Sequence, residues 1–540
     1  MLSPINWQGD WDGARYENGT VVAPEGFKAA YQQFCRDGWA GMAATTDYGG
    51  QGLPAIAHIA VGEMLCSAAM AWRMASGLSE GAALALARHG SDELKGRFLE
   101  KLVKGEWTGT MCLTEPQAGT DLGLLRTRAE PAGDGSFRVS GTKIFISWGE
   151  HDLTDNIVHL VLARLPDAAP GTRGISLFLV PKRIDGAANG VRCDSIEEKM
   201  GIHGSPTCVL SFDGARGWLV GNPGGGLACM FTMMNHARLG VGLQGLGLSE
   251  RALQASVRYA FERVQGRSAR GPVAKEQAAD PIIAHADVRR MVLTQKALTE
   301  GQRLLCYYTY LLADVEHLGA DEGARDRAAA LVALLVPIVK SLLTDSAMET
   351  TELAMQVHGG AGFIRETGVE QYLRDAKITC IYEGTNGIQA LDLLGRKVLM
   401  NGGATVKLLG AEIAATLQAV TAEALKPHAA ALAAKLGEWA ELTRVVGARV
   451  AEDPEELGAV AVDYLQFAGC VLVGWAWLRM ANVAAARLAA GHPERAFYEG
   501  KLAAAAFYFE RLLPRSLAHA AAVRAGGATL PTLTAEHFAA

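Results

Sequence analysis

The 540-residue sequence predicts an α+β chain in which helical regions flank a small β domain and a further helical region follows. Three observations predict it. Apolar residues recur at three- and four-residue spacing through much of the first hundred residues and again from about Met230. Between them, short β-branched and aromatic runs are separated by Gly, Pro and Asp. From about Gly402 the chain becomes Ala-rich, with Leu, Val and Tyr at helical spacing. The expected parts are an N-terminal helical domain (residues 1–110), a middle β domain (111–230), a helical bundle (231–401) and a helical extension (402–540).

In the first part, Ala55 to Met70 and Ser79 to His89 carry the helical spacing, punctuated upstream by Gly49-Gly50 and Gly52-Leu53-Pro54. In the second, Phe137-Arg138-Val139 alternates, Ser140-Gly141-Thr142 offers a turn, and Lys143 to Ile146 follows. Ile157 to Leu162, Ile175 to Val180 and Thr207 to Phe212 complete the pattern of an antiparallel domain. Pro181 closes one run, where a strand can no longer donate to a ladder. Long helical stretches follow at Leu239 to Glu262 and Ala328 to Met355. Gly402-Gly403 marks the boundary before Ala-rich segments such as Ala429 to Leu436 and Ala484 to Ala490.

Composition narrows the function. Apolar residues make up 49% and charged residues 20%, which excludes a mainly disordered chain. A net charge of −6 argues against nucleic-acid binding and against a polybasic membrane anchor. Nine cysteines, without a CxxC pair, point to a reducing, cytoplasmic setting and exclude a Cys-rich zinc module. The N-terminus has no basic region followed by an apolar run, so no signal peptide is expected. The apolar stretch Phe467 to Leu478 is too short to span a bilayer.

Several motifs invite chemistry. Gly240-Val241-Gly242-Leu243-Gln244-Gly245 fits a dinucleotide fingerprint, but its flanks read as continuous helix, so close helix packing explains it better. Asn222-Pro223-Gly224-Gly225-Gly226 lacks the Lys-Ser/Thr of a phosphate loop and reads as a plain loop. His spacing suits no catalytic zinc, no metal site is expected, and no GxSxG elbow occurs. Thr114 to Asp121 (TEPQAGTD) offers hydroxyls, backbone N–H groups and a flexible Gly where helix gives way to strand. Such a loop can hold an anion or a polar heterocycle, or simply join two domains. In Cys380 to Gln389 (CIYEGTNGIQ), Glu383 sits among apolar neighbours. Lost hydration raises a carboxyl pKa toward that of a general base, whereas the plainer reading is a surface Glu in a loop.

Taken together, these segments resemble the acyl-CoA dehydrogenase family. TEPQAGTD resembles its TEPxAGSD loop, Lys143 to Ser147 its KxWIT strand, Gln356 to Phe363 (QVHGGAGF) its QxxGGxGF turn, and Arg374-Asp375-Ala376 with IYEGTNGIQ its RDA…YEGTxxIQ signature. The length, and segments such as IEEKMGIHG and GIQALDLLGRKV, are similar to a longer bacterial branch with an extra C-terminal helical region.

The resemblance implies FAD held between the β domain and the second helical domain. Met111, Leu113, Thr114, Gly119 and Thr120 would face the flavin and its pyrophosphate. Phe145 would stack on the isoalloxazine where Trp is commoner, and Ser147 would replace the usual Thr near N5. Arg263, Gln356 and Gly360 would reach the FAD of a neighbouring subunit, implying a homodimer or homotetramer. Thr385 would sit by the cofactor, and Arg238 near the CoA arm. Trp148 and Gly387 depart from the family pattern, as does the VQGR stretch after Arg263.

The implied reaction is α,β-dehydrogenation of an acyl-CoA. Glu383 would take the α proton, flavin N5 the β hydride, and an electron-transfer flavoprotein the electrons. The acyl group is expected to be short, 3-methylthiopropanoyl among the candidates. The alternatives are an acyl-CoA oxidase or nitroalkane-oxidase-like enzyme, or a non-catalytic nucleic-acid-binding relative.

Overall fold

In the computed structural model, which describes residues Leu2–Ala539, the N-terminal apolar periodicity becomes helices α1 (Leu2–Asp12), α2 (Phe27–Arg36) and α3 (Ala55–His89). Helix α2 shows why: Phe27, Ala30, Tyr31 and Phe34 make one buried stripe. The two segments read from spacing form one span, α3, broken at Ala69, whose backbone is extended (φ −162°, ψ 82°). Short helices α4 (Asp92–Leu94) and α5 (Glu100–Val103) flank a π-turn.

The first hundred residues are not wholly helical. Strands β1 (Arg15–Glu17) and β2 (Thr20–Val22) form a hairpin. Its turn residues, Asn18 and Gly19, are left-handed at φ 52° and 83°. Asn-Gly is the favoured pair for such a two-residue turn, a signal that the helical reading passed over.

The β domain is a seven-stranded sheet. Its strands are β3 (Thr108–Cys112), β4 (Arg128–Pro131), β5 (Phe137–Ser147), β6 (Ile157–Arg164) and β7 (Ile175–Pro181), then, past a small hairpin of β8 (Arg183–Ile184) and β9 (Ala187–Ala188), β10 (Val191–Ile196) and β11 (Thr207–Val220). The order is β10-β11-β5-β4-β6-β3, with β7 paired to β11 and β6. Two expectations are corrected here. The sheet is mixed, because β3 runs parallel to β6 from Thr108↔Ile157 to Cys112↔Val161. Side-chain alternation does not encode strand direction, and β4 and β5 supply the long connection that a parallel pair needs. Nor is there a turn at Ser140-Gly141-Thr142, since β5 runs straight through. Gly141 (φ 151°) is needed because a Cβ there would lie 2.5 Å from Thr127 Oγ1 and 2.9 Å from Thr127 Cα. The Gly224 amide donates to Ser176 Oγ (2.9 Å), so the Asn222–Gly226 segment is a loop folded onto β7.

The chain divides into two units, one running up to Gly247 and the other from Leu248 onward. Helix α6 (Gly226–Glu262) carries the GxGxxG segment in mid-helix, so no strand precedes it and the dinucleotide fingerprint does not apply. Close helix packing occurs on the same helix, at Gly247. A Cβ on Gly247 would lie 2.6 Å from Cys66 Cβ and 2.9 Å from Ser67 N, whereas Gly240 has open space around it.

The second unit continues with α7 (Ala286–Leu318), α8 (Glu322–His358), α9 (Glu370–Thr379) and α10 (Asn386–Leu391). After the left-handed pair Gly402 and Gly403 come α11 (Ala404–Gln418), α12 (Lys426–Glu452), α13 (Glu455–Ala489), α14 (Arg495–Phe507) and α15 (Ser516–Ala525). Helix α13 packs on the bundle of its own chain: Trp477 Nε1 donates to Ala297 O on α7 (2.8 Å), and Gly469 lies against Leu342 on α8.

The apolar run at Phe467–Leu478 is longer in structure than in sequence. It belongs to the 35-residue α13. Among the described residues, this helix, Ala55–His89 and Glu322–Phe363 are long and apolar enough to cross a membrane by length and composition. In α13 those apolar faces are covered, with Tyr464, Phe467, Trp475, Trp477 and Leu478 all buried.

Gly247→Ala should lower stability by about 1–3 kcal/mol, because backbone on α3 must move. Gly240→Ala should be neutral or stabilising by up to about 1 kcal/mol. Denaturation midpoints of the two variants check both.

Candidate active site

The loop after β3 is held by a buried ion pair. Lys143 on β5 is fully buried, and its Nζ donates to Glu115 Oε1 and to Leu113 O, both at 2.9 Å. Glu115 also accepts from the Arg126 amide (2.6 Å), the Thr127 amide (3.0 Å), Thr127 Oγ1 (2.5 Å) and Gln117 Nε2 (2.6 Å). Burial alone would raise this carboxyl, but Lys143, Thr127 and the Arg126 amide together hold it down to about 2. Burial also pulls the Lys143 amine below its ordinary value, against the upward pull of Glu115. Parity along β5 carried a signal for the pair: Lys143 shares the inward face with Val139, and a Lys on a buried face needs an anion.

This clamp brings together the first group of expected cofactor residues. The Ile144 amide donates to Thr114 O (2.9 Å), so the loop lies against β5. Met111 is buried on β3, Leu113 and Thr114 are half-buried just beyond it, and Gly119 and Thr120 are exposed. Nothing lies within 4 Å of a Cβ built on Gly119.

Strand β5 then bulges. Its register against β11 shifts between Cys208 and Leu210, which face Ile146 and Lys143. Phe145 sits in the bulge at φ 59°, a left-handed conformation that costs a non-glycine residue about 1–3 kcal/mol. Phe145 is 59% exposed, one residue beyond Ile144, whose amide meets Thr114. Ser147 follows, half-buried and paired with Thr207. Trp148, also left-handed at φ 52°, turns inward; its Nε1 donates to Ala71 O (3.1 Å) and its ring stacks on Phe27. The family departure at Trp148 is thus a buried anchor between β5 and the N-terminal helices.

In the second unit, Glu383 lies on the turn between α9 and α10. It is left-handed at φ 57°, and Gly384 follows at φ 85°. Gln389 Nε2 donates to Glu383 O (3.2 Å) and Gly384 O (3.1 Å), and Thr385 Oγ1 caps α10 by accepting from the Ile388 amide. Asn386 pins the turn to α8: Lys340 Nζ donates to its Oδ1 (2.8 Å), and its Nδ2 donates to Asp345 Oδ1 (2.6 Å). Burial raises the Asp345 carboxyl above the usual range. These partners of the Glu383 turn are not visible in the spacing, because Lys340 and Asp345 are brought to it by α8 from some forty residues upstream, a long-range contact.

The remaining residues separate into two places. Arg263 follows α6, and Gln356 and Gly360 flank the end of α8; the stack of Tyr259 on His358 (4.3 Å) brings those ends together. Gln356, Arg263 and Gly360 are exposed. Gln356 lies roughly 16 Å along α8 from Asp345, at about 1.5 Å per residue. Arg238, on α6 in the first unit, is only 6% exposed, with its guanidinium 5.7 Å from the Phe231 ring centre.

One unit thus carries an exposed aromatic residue and a hydroxyl-bearing loop, and the other a glutamate on a left-handed turn. Family models cover the chain in order: "Acyl-CoA dehydrogenase, N-terminal domain" matches residues 13–106, the middle domain 110–215, the C-terminal domain 224–399, and "Acetyl-CoA dehydrogenase C-terminal like" 409–534. The chain belongs to the acyl-CoA dehydrogenase family.

Among its relatives, 3-methylmercaptopropionyl-CoA dehydrogenase of Ruegeria pomeroyi is 45% identical over 526 residues, covering 95% of this chain and 88% of the relative. A butyryl-CoA dehydrogenase of Syntrophomonas wolfei is 37% identical over 538 residues, covering 95% and 87%. Caenorhabditis elegans ACDH-11, solved in complex with C11-CoA, shares the fold at a TM-score of 0.81 and 20% identity, covering 95% of this chain and 85% of that one.

Lys143→Met should cost about 3–5 kcal/mol, because it leaves the Glu115 carboxylate buried without its cation. In the wild-type protein the contribution of Glu115 is fully present above about pH 4.3 and is lost as pH falls toward about 2. Melting temperatures of the two proteins should therefore differ most near pH 7 and converge on acidification below that range.

Proposed function

We propose that the chain catalyses the α,β-dehydrogenation of a short-chain acyl-CoA, with FAD as its cofactor and Glu383 as the base. The observation that carries the reading is the conformation of Glu383. A left-handed glutamate costs stability, and such strain persists where the surroundings over-determine it for a purpose. Here Gln389 and Asn386 fasten the turn on both sides.

The first unit fits the cofactor. Thr114 and Thr120 offer hydroxyls, the open space at Gly119 admits a close approach, and the exposed Phe145 ring offers a face for a planar heterocycle. Among the described residues the Gly119 and Thr120 amides donate to no other group, as suits a pyrophosphate. Bound FAD supplies a two-electron acceptor for the hydrogen that leaves the β carbon with its electron pair.

The remaining work belongs to the chain. The α C–H of a thioester is a weak acid, so a carboxylate must be held within reach of it. Glu383 takes that proton, and its fastened turn limits the positions the carboxylate samples. Arg263, Gln356 and Gly360, remote from Glu383, serve the cofactor of a second copy, which makes the enzyme a homodimer or homotetramer. An electron-transfer flavoprotein is the expected acceptor. The Ruegeria and Syntrophomonas relatives, named for 3-methylmercaptopropionyl-CoA and butyryl-CoA, support a short acyl group.

Glu383→Gln, nearly isosteric, should keep its yellow flavin and lose anaerobic bleaching by at least about 100-fold. A panel of acyl-CoAs, with 3-methylthiopropanoyl-CoA and butyryl-CoA included, identifies the acyl group by the fastest bleaching. A Glu383→Gln protein that kept more than a few per cent of the wild-type rate would remove Glu383 from its role.

A further inference from the structure

We infer that the C-terminal extension sets the position of the base: Gln466 on α13, acting through Asp345 and Asn386, holds the turn that carries Glu383. Gln466 is then a positioning residue for the reaction proposed above, and the inference rests on that reading.

The chain of contacts is short. Gln466 Nε2 donates to Asp345 Oδ2 (2.7 Å), while Asn386 Nδ2 donates to the other oxygen, Oδ1 (2.6 Å). One carboxylate on α8 therefore ties α13 to the first residue of α10. Asn386 is three residues past Glu383, and its amide donates back to Cys380 O (3.1 Å), closing the loop that contains the base. A shift of Asp345 reaches Glu383 through that closed loop.

The placement of Gln466 is specific. Its neighbours Tyr464, Leu465, Phe467 and Ala468 are buried apolar or aromatic residues, and among them Gln466 supplies a polar contact from α13 to α8. Apolar packing alone would attach the helix without registering it; a hydrogen bond to a half-buried carboxylate fixes both direction and distance. The charged and titratable groups facing Asp345 are Lys340 on the same helix and Cys380 after α9. Neither changes in the variants below.

The experiment follows flavin bleaching in full-length holoenzyme, anaerobically, with saturating 3-methylthiopropanoyl-CoA or butyryl-CoA. Gln466→Leu should slow the rate constant about tenfold while the half-saturating concentration stays within about twofold, the signature of a misplaced base rather than weaker binding. Gln466→Glu keeps the shape and sets two carboxyls face to face. Its rate relative to wild type should be at least about tenfold low at pH 8 and should recover severalfold by pH 6, where the pair shares a proton that can donate as the amide did. Asn482→Ala removes a different polar contact of α13, to Ala419 O (3.2 Å), and should leave the rate unchanged.

A Gln466→Glu ratio that is flat with pH and within twofold of wild type overturns the inference, as does an equal slowing in Asn482→Ala. If Gln466→Leu fails to accumulate as folded holoenzyme, the pH ratio decides alone. Wild-type flavin that neither acyl-CoA bleaches overturns the proposed reaction and this inference together, whereas normal wild-type bleaching with unaltered variants overturns this inference only.

Discussion

The buried pairing of Lys143 with Glu115 is the constraint from which the cofactor face of the first unit follows. An ammonium with no exposure must find anionic or carbonyl partners, and it finds both in the loop after β3. The carboxylate in turn collects donors from residue 117 and from 126–127 as well as from Lys143, so three stretches of chain converge on one side chain. With Leu113 and Glu115 pinned to β5, the Thr114 carbonyl between them accepts from the Ile144 amide, next to Phe145 in the chain. Glu115 spends its charge inside the clamp; outward the loop shows the exposed Thr120, the open space at Gly119 and the exposed Asp121 carboxylate, which accepts from the Gly123 amide.

Against that rigid background the left-handed residues become intelligible. Phe145 and Trp148 lie three residues apart with rings in opposite environments, one exposed and one buried. Regular alternation accounts for that opposition but not for Lys143 and Ile146, three residues apart and both buried; the bulge at Phe145 resets the alternation between them. Trp148, hydrogen-bonded to Ala71 and stacked on Phe27, supplies enough burial to offset the local strain. Glu383 repeats the logic with polar partners in place of an aromatic anchor. In both places an unfavourable backbone conformation aims a side chain, and a nearby buried group holds it there.

The order of helical and β regions was legible because periodicity and composition are local properties. The Asn18-Gly19 turn was legible too, in principle, but two three-residue strands are too short to stand out from helical surroundings. Strand direction was not legible: Thr108–Cys112 was not among the runs read as strands, and the long connection through β4 and β5 is what lets it run parallel to β6. Gly141 read as a turn because glycine serves turns and close approaches equally, and which applies depends on Thr127, just ahead of the neighbouring strand β4. In the site, the candidate residues lie inside contiguous motifs, which a sequence displays directly. Their supports do not, since Lys143 meets Glu115 across 28 residues and Asp345 meets Asn386 across 41. Such pairs follow from tertiary packing, which no window of sequence contains.

The second unit carries this reasoning to its last step. A helix bundle joined by apolar contact tolerates small slides between helices, because hydrophobic contact is non-directional. A base that must meet one carbon does not tolerate them. The turn at Glu383 is therefore referred to α8 by directional bonds from Asn386, and α8 is referred to α13 by the bond from Gln466. Asp345 stands where these references meet, half-buried, with one oxygen for each. Helix α13 also donates Trp477 Nε1 to α7, so it grips two bundle helices by directional bonds as well as by its apolar face. A helical extension that served only to cover an apolar surface would need neither bond, and in an interior this dry each one would be a cost unless satisfied in one register.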